Sequence, residues 1–229
     1  MNIAGFVKTS FVDYPGKIAS VVFTQGCNLR CGYCHNVSLI DSNHSSNGIL
    51  PEEVFEWLSK RKGMIDAVVV SGGEPTLQKN LHVFIEELKA MNLLVKLDTN
   101  GTNPDIIRTL IEYELLDFIA MDLKAPLSKY EIITGTSQLE LAAIQESVEV
   151  IKNCGLGYEF RTTLCPELET EDIPCIILDF EIAANYVVQN CRSTNLKKVF
   201  RNKQDLHRLN QWSKEKRFSS IRGFEAIKQ

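Results

Sequence analysis

The sequence has no apolar run approaching the ~20 residues that an α-helix needs to cross a bilayer. Its first residues, MNIAGFVKTSFVDYPGK, also lack the basic stretch and the apolar stretch that together form a secretory signal. We therefore expect a cytoplasmic protein with no membrane partner. The formal net charge of −4 gives no general attraction to nucleic acid, so a nucleic-acid partner is not expected either.

Positive charge is unevenly distributed along the chain. Ten Lys or Arg residues and only two acids lie between Arg192 and Arg222, so that segment carries about +8 and the remainder about −12. A solvated helical face explains such a cluster, and a docking edge for an acidic partner is the alternative. A length of 229 residues suits one domain, 1–229, with a core of about 16–191 and a basic extension of about 192–229.

Cysteine occurs seven times, and an odd number in a reducing cytosol does not predict a disulfide framework. Four of the cysteines are scattered and are expected to be small buried side chains without assigned chemistry: Cys154, Cys165, Cys175 and Cys191. The other three, Cys27, Cys31 and Cys34, fall within eight residues.

Short β-branched runs alternate with helical patterns. Strands are predicted over 18–24, 66–72, 93–99, 116–122, 157–164 and 185–191, and helices over 51–62, 80–92, 104–114, 138–154, 171–184 and 203–216. Repeated βα units indicate an α/β protein with a parallel sheet covered by helices. Periodicity leaves an open doubly wound sheet and an incomplete barrel as alternatives. In both, functional groups belong at the carboxyl ends of the strands.

Polar segments follow the predicted strands at those ends. The first strand leads into QGCNLRCGYCHN (25–36), the second into SGGEPT (71–76), the third into DTNG (98–101) and the fourth into MDLK (121–124). Arg161 lies in the fifth strand. These segments are expected to converge on one site that binds a polar ligand.

The spacing Cys-x3-Cys-x2-Cys offers three soft thiolate ligands, which suit an iron–sulfur cluster or zinc. Three cysteines are one fewer than a cubane cluster or a closed structural zinc site requires. His35, a distant cysteine, or a position left open for substrate could account for the missing ligand. His35 directly follows Cys34, and adjacent residues rarely reach one metal without strain. A stapled zinc module also predicts a small domain, so an open position on a redox-active cluster is favoured.

Cys-x3-Cys-x-aromatic-Cys after the first strand, followed by Gly-Gly-Glu-Pro after the second, resembles the radical S-adenosylmethionine (SAM) superfamily. The resemblance implies an incomplete (β/α)6 TIM-like barrel. It also implies a [4Fe–4S] cluster held by Cys27, Cys31 and Cys34, whose fourth iron is chelated by SAM. The implied SAM-binding residues are Tyr33, His35, Gly72, Gly73, Glu74, Pro75, Thr99, Asn100, Lys124 and Arg161. Alone, Gly-Gly-Glu-Pro would be an ordinary turn and Tyr33 a packing aromatic.

Residues 11–36 resemble glycyl-radical-enzyme activases, most closely those of anaerobic ribonucleoside-triphosphate reductase, with pyruvate formate-lyase activating enzyme a near relative. The segments 96–101 and 119–126 resemble strand ends that hold a monovalent cation in the lyase relative. The implied ligands are the carboxylates of Asp98 and Asp122 and the backbone carbonyls of Thr99 and Met121. Strand-end capping is the alternative role for the two acids.

The resemblance implies that reductive cleavage of SAM yields a radical that takes hydrogen from a glycine Cα of a partner enzyme. Flavodoxin or ferredoxin would supply the electron. The alternatives are an activase of a pyruvate formate-lyase-like enzyme, a radical SAM enzyme with a small-molecule substrate, and a non-catalytic metal-binding module.

Overall fold

The computed structural model of the chain describes residues 1–41, 48–137, 139–191, 203–215 and 219–224. Much of the basic segment after Arg192 lies outside these residues. The chain divides into two compact units. The first unit comprises residues 1–28, 36–120 and 142–158, and the second comprises residues 29–35, 121–141 and 159–229.

The described residues form eight strands and seven α-helices, which alternate along the chain except that β1 is followed by β2 and α4 by α5. The strands are β1 (Ile3–Ser10), β2 (Ala19–Thr24), β3 (Ala67–Gly72), β4 (Leu94–Thr99), β5 (Phe118–Asp122), β6 (Gly157–Leu164), β7 (Tyr186–Asn190) and β8 (Ser220–Arg222). The helices are α1 (Pro51–Ser59), α2 (Leu81–Ala90), α3 (Pro104–Glu112), α4 (Tyr130–Thr134), α5 (Leu141–Lys152), α6 (Asp172–Asp179) and α7 (Lys203–Lys214).

The first unit is organised around β2, β3 and β4, which pair in parallel in that order. Residues Ala67 to Val70 of β3 are all fully buried, as expected for a parallel strand that is covered on both faces. The strand β1 adds to the other side of β2 in the antiparallel direction. Cross-strand pairing therefore fixes the carboxyl ends of β2 and β3 side by side, with Thr24 opposite Gly72.

The second unit contains β7, which pairs in parallel with β6 on one side and with β8 on the other. Two tyrosines, Tyr130 and Tyr186, are among its largest fully buried side chains. A buried phenol needs a hydrogen-bond partner, and the Tyr186 hydroxyl donates to Thr162 Oγ1 at 2.7 Å.

The predicted α/β class is confirmed, and all six predicted strands and six predicted helices are present with boundaries that differ by a few residues. Three elements, β1, β8 and α4, were not predicted from the sequence. The strand β1 is exposed over much of its length and carries Gly5, so it lacks a strong apolar pattern. Within the described part of the chain, no helix is long and apolar enough to span a membrane.

Candidate active site

In the first unit, the cysteine loop after β2 is joined to the glycine turn after β3 by main-chain hydrogen bonds. The Gly73 N–H donates to Thr24 O at 2.9 Å, and the Glu74 N–H donates to Gly26 O at 2.8 Å. On its other side the loop is held by the Cys27 N–H, which donates to Ile40 O at 3.0 Å. The position of Cys27 is therefore set by backbone contacts on both sides of the loop.

This close approach requires glycine at two positions. Gly72 has φ +127°, a conformation that L-residues rarely adopt, and a Cβ there would lie 2.2 Å from Thr24 N. A Cβ on Gly73 would lie 2.0 Å from Gly26 O. The close packing of the two segments therefore explains the Gly-Gly pair without any ligand.

Gln25 helps to hold the cysteine loop in place, a role that was not predicted from the sequence. Its buried side-chain amide donates to Ser38 O at 2.9 Å and to Asp41 O at 2.5 Å, and its main-chain carbonyl accepts from Gln78 Nε2 at 2.8 Å. These bonds tie the segment that returns from the cysteine loop to the end of β2. The available sequence signal was a polar residue directly after the apolar run 18–24 and before Gly26.

Glu74 is fully buried, and its carboxylate accepts four hydrogen bonds within the first unit. Oε1 accepts from Thr76 N (3.1 Å), Thr76 Oγ1 (2.6 Å) and Thr99 Oγ1 (2.8 Å), while Oε2 accepts from Asn100 N (2.7 Å). Burial raises the pKa of Glu74 above its ordinary value, and the hydrogen bonds oppose that shift. The carboxylate therefore connects the turn after β3 to the end of β4.

Pro75 is buried directly after Glu74 and begins a short 3-10 turn, Pro75–Leu77, for which Glu74 is the side-chain cap. Its fixed φ suits the first position of such a turn, where an N–H would have no partner.

Asn100 extends the same network to the cysteine loop. Its Nδ2 lies 4.0 Å from Cys27 Sγ and donates to Asn28 Oδ1 at 2.9 Å. Its Oδ1 accepts from the backbone N–H and the hydroxyl of Thr102, at 3.0 and 2.7 Å. The predicted residues Cys27, Glu74, Thr99 and Asn100 are thus brought together in the first unit.

Asp98 lies at the end of β4 with a lysine two residues before it. Lys96 Nζ is 3.0 Å from Asp98 Oδ1 and donates to Asp13 O at 2.7 Å. Residues i and i+2 of a strand share a face, so the two side chains meet without any turn. The Lys96 side chain is only 4% exposed, which makes it a buried cation beside one of the two acids predicted to bind a metal cation.

In the second unit, the segment that carries Cys31, Tyr33 and Cys34 forms a tight turn against the end of α4. The Cys34 N–H donates to Cys31 O at 3.1 Å, and the Arg30 N–H donates to Thr134 O at 2.7 Å. Burial raises the pKa of the Cys31 thiol, while the nearby Lys124 ammonium opposes the shift. The adjacent His35 is exposed.

Asp122 receives two cationic side chains in the second unit. Arg161 Nε donates to Oδ1 at 2.8 Å, and Lys124 Nζ donates to Oδ2 at 3.0 Å. Although burial favours the neutral acid, the two cations hold the pKa of Asp122 below its ordinary value. The preceding residue, Met121, is fully buried.

Tyr33 is buried, yet its hydroxyl has no hydrogen-bond partner within the described part of the chain. Burial raises the pKa of this phenol well above its ordinary value, against the influence of Lys124. A buried hydroxyl without a hydrogen-bond partner is uncommon, and a bound ligand that forms a hydrogen bond with it would explain this one.

All seven cysteines lie in the described residues as thiols, and each of the three clustered cysteines is partly exposed. Of the four scattered cysteines, Cys165 and Cys191 are buried as expected, whereas Cys154 is partly exposed and Cys175 is exposed, so the expectation was wrong for these two. Partly exposed thiols with a backbone cradle beside Cys27 are a donor set that fits an iron–sulfur cluster. Among the described residues, no group of three His, Cys, Asp or Glu side chains is already gathered around one metal position.

Asp98 and Asp122, the two acids predicted to bind a monovalent cation, are a poor fit for a metal ion. Asp98 already has the Lys96 ammonium, and Asp122 has a positive side chain on each oxygen. A metal ion at either carboxylate would meet these fixed charges at close range.

A cavity of about 610 Å³ lies at the opposite end of the strands in the first unit. Its lining includes Asp66 before β3 and Leu93 before β4, together with Lys17 and Arg61. It is therefore remote from the carboxyl ends where the predicted site residues lie.

The family model described as "Radical SAM superfamily" matches residues 21–177. A protein of Methanocaldococcus jannaschii, provisionally named a glycyl-radical enzyme activating enzyme, is 36% identical over 82% of this chain and 78% of its own length. Pyruvate formate-lyase-activating enzyme of Clostridium pasteurianum is 30% identical over 69% of this chain and 66% of its length.

Solved structures of radical SAM enzymes share the fold. Streptococcus suis SuiB bound to S-adenosylmethionine matches with a TM-score of 0.66 and 16% identity, over 87% of this chain and 48% of that chain. These likenesses confirm the predicted fold type, an incomplete barrel of the radical SAM kind.

Enzymes of this superfamily use a [4Fe–4S] cluster and S-adenosylmethionine, which agrees with the donor set and the glycine turn described above. The matched residues 21–177 include the cysteine loop, the glycine turn, the ends of β4 and β5, and Arg161. The chain belongs to the radical SAM superfamily, among the glycyl-radical-enzyme activating enzymes.

Proposed function

We propose that this chain activates an anaerobic ribonucleoside-triphosphate reductase by generating a glycyl radical on it. The observation that carries the chemistry is the joining of the Cys27 loop to the Gly72–Glu74 turn, since it places a proposed cluster ligand directly beside the turn that we assign to S-adenosylmethionine. The choice of reductase rests on the resemblance of residues 11–36.

When bound, the cluster and S-adenosylmethionine supply a radical able to remove a hydrogen atom from carbon, and the protein provides binding and orientation. We assign Cys27, Cys31 and Cys34 to the cluster. Gly72 and Gly73 allow the turn assigned to S-adenosylmethionine to pack directly against the backbone of Thr24 and Gly26. Glu74 acts through the residues it holds, because its oxygens are occupied by four donors.

In the second unit, Lys124 and Arg161 are assigned to the carboxylate or ribose of S-adenosylmethionine. Asp122 holds both cations and so fixes their direction. Tyr33 is assigned to the adenine region, where a ligand atom could satisfy its hydroxyl. The other residues that we assign to S-adenosylmethionine are His35, Pro75, Thr99 and Asn100. We further propose that residues 1–229 form a single domain. The protein would work in the cytoplasm and receive its electron from flavodoxin or ferredoxin.

An activase of a pyruvate formate-lyase-like enzyme is the second candidate, favoured by the similarity to the enzyme of Clostridium pasteurianum. The two are separated by incubating reduced, cluster-loaded protein with each partner and recording electron paramagnetic resonance spectra. We expect a glycyl radical on the reductase that requires both this chain and S-adenosylmethionine.

The matched controls are Cys31→Ala, which should abolish the signal, and Cys175→Ala, an exposed cysteine outside the proposed site, which should preserve it. A signal on the lyase alone would replace the reductase as partner. Intact S-adenosylmethionine after reduction would reject the enzymatic activity itself. Cleavage without a radical on either protein would favour a small-molecule substrate.

A further inference from the structure

Lys96 is a buried lysine that the proposed function leaves unassigned. It projects from β4 and has two oxygen partners in the first unit, Asp98 Oδ1 at 3.0 Å and Asp13 O at 2.7 Å. The centroid of the Phe118 ring lies 5.9 Å from Lys96 Nζ. A buried ammonium is costly unless it is paired. The oxygens of Asp98 and Asp13 therefore form a cation-binding position, and the cation that fills it is the ammonium of Lys96 itself.

We propose that the Lys96 ammonium takes the place of a monovalent metal cation beside Asp98, so that binding of S-adenosylmethionine requires neither sodium nor potassium. This inference rests on the proposed function only for the identity of the ligand, S-adenosylmethionine. The contacts of Lys96 with Asp98 and Asp13 do not depend on that function. It replaces the cation that the resemblance implied at the end of β4.

Three observations support the replacement. The Asp98 carboxylate is 17% exposed and already has a positive charge in direct contact on Oδ1. The Asp13 carbonyl supplies a second hard oxygen to that charge, as a protein would to a metal ion. Asp122, the other acid implied as a metal ligand, also has side-chain cations on both oxygens within its own unit.

The test compares potassium chloride, sodium chloride and choline chloride at equal ionic strength, since choline is too large for such a site. Two quantities are measured: the thermal unfolding midpoint of the cluster-free chain, and the dissociation constant of S-adenosylmethionine with the cluster-loaded protein. For the wild type we expect both to be the same in all three salts.

Lys96→Met retains the side-chain length to Cε and vacates only the position of the ammonium. We expect this variant to bind S-adenosylmethionine about tenfold more weakly in choline, equivalent to ~1.4 kcal/mol, and to recover in potassium or sodium. Its unfolding midpoint should rise with the same ions. Lys89→Met is the matched control, because Lys89 pairs with Asp117 at 2.7 Å elsewhere in the first unit. It should acquire no dependence on the ion.

A wild type that binds S-adenosylmethionine several-fold more tightly in potassium or sodium than in choline overturns the proposal. So does a folded Lys96→Met protein that behaves like the wild type in choline. If the variant does not fold, the wild-type comparison still decides. Absence of S-adenosylmethionine binding in every salt would reject the proposed function instead, and the unfolding midpoints would still test Lys96.

Discussion

Replacing Glu74 by Gln tests the claim that this carboxylate organises the carboxyl ends of β3 and β4. The Glu74 carboxylate acts only as an acceptor in its four hydrogen bonds. Two of the donors are backbone N–H groups, those of Thr76 and Asn100. A glutamine amide has one acceptor oxygen and one NH2 group. Whichever way the amide is turned, its NH2 faces a backbone N–H that cannot rotate away.

The magnitude follows from that conflict. A buried donor left without an acceptor costs ~1–3 kcal/mol, and removing the buried charge returns part of its desolvation cost. We therefore expect Glu74→Gln to lower the free energy of unfolding by ~1–3 kcal/mol at neutral pH. For a protein of this size, each 1 kcal/mol corresponds to roughly 2–4 °C in the melting temperature.

The assay is urea unfolding of the cluster-free chain, so that ligand binding does not enter the result. Glu86→Gln, at an exposed position on α2, is the matched control and should leave the free energy of unfolding unchanged. If Glu74→Gln were as stable as the control, the carboxylate could not be fixed by these four donors. Thr99 and Asn100 would then not be held in place by Glu74.

Three further substitutions probe the rest of the site. Gly73→Ala places a Cβ 2.0 Å from Gly26 O and should cost roughly 3 kcal/mol or more in urea unfolding, whereas Gly48→Ala, with 3.5 Å to its nearest atom, should cost no more than ~1 kcal/mol. Tyr33→Phe removes a buried, unsatisfied hydroxyl and should raise the free energy of unfolding by up to ~1 kcal/mol; a loss of stability would reveal a partner for that hydroxyl. Asp122→Asn should cost ~1–3 kcal/mol at neutral pH. Because the pKa of Asp122 is lowered on folding, its contribution is present above the ordinary value of 3.8 and is lost as the pH falls through the folded-state value. The difference from wild type should therefore stay constant from pH 7 to about 4 and shrink below that; a difference that grew on acidification would contradict the assigned cation pairing.

The sequence predicted the parallel strands well because they are read from apolar runs. Residues such as Val68 and Val70 have no exposed face, so their pattern does not depend on distant partners. Glu74 and Asn100 were likewise predicted to lie at strand ends on one side of the sheet, and the parallel pairing of β3 with β4 explains why they meet.

Contacts between distant residues could not be read from the sequence in the same way. Lys96 alternates with apolar residues in β4, so nothing local distinguishes a solvated lysine from a buried one. Its burial depends on Asp13, which precedes it by 83 residues. Gln25 was overlooked for a similar reason, because its amide serves carbonyls of Ser38 and Asp41 that reach it only after the chain returns from the cysteine loop.

The antiparallel strand β1 has a consequence for aggregation. Without it, β2 would present an unpaired row of N–H and C=O groups, which is a template for pairing with another chain. Because β1 covers that row, the strand that leads into Cys27 has a neighbour on each side. Deleting residues 1–10 should therefore produce a protein that self-associates through β2, even though every proposed ligand of the cluster would still be present.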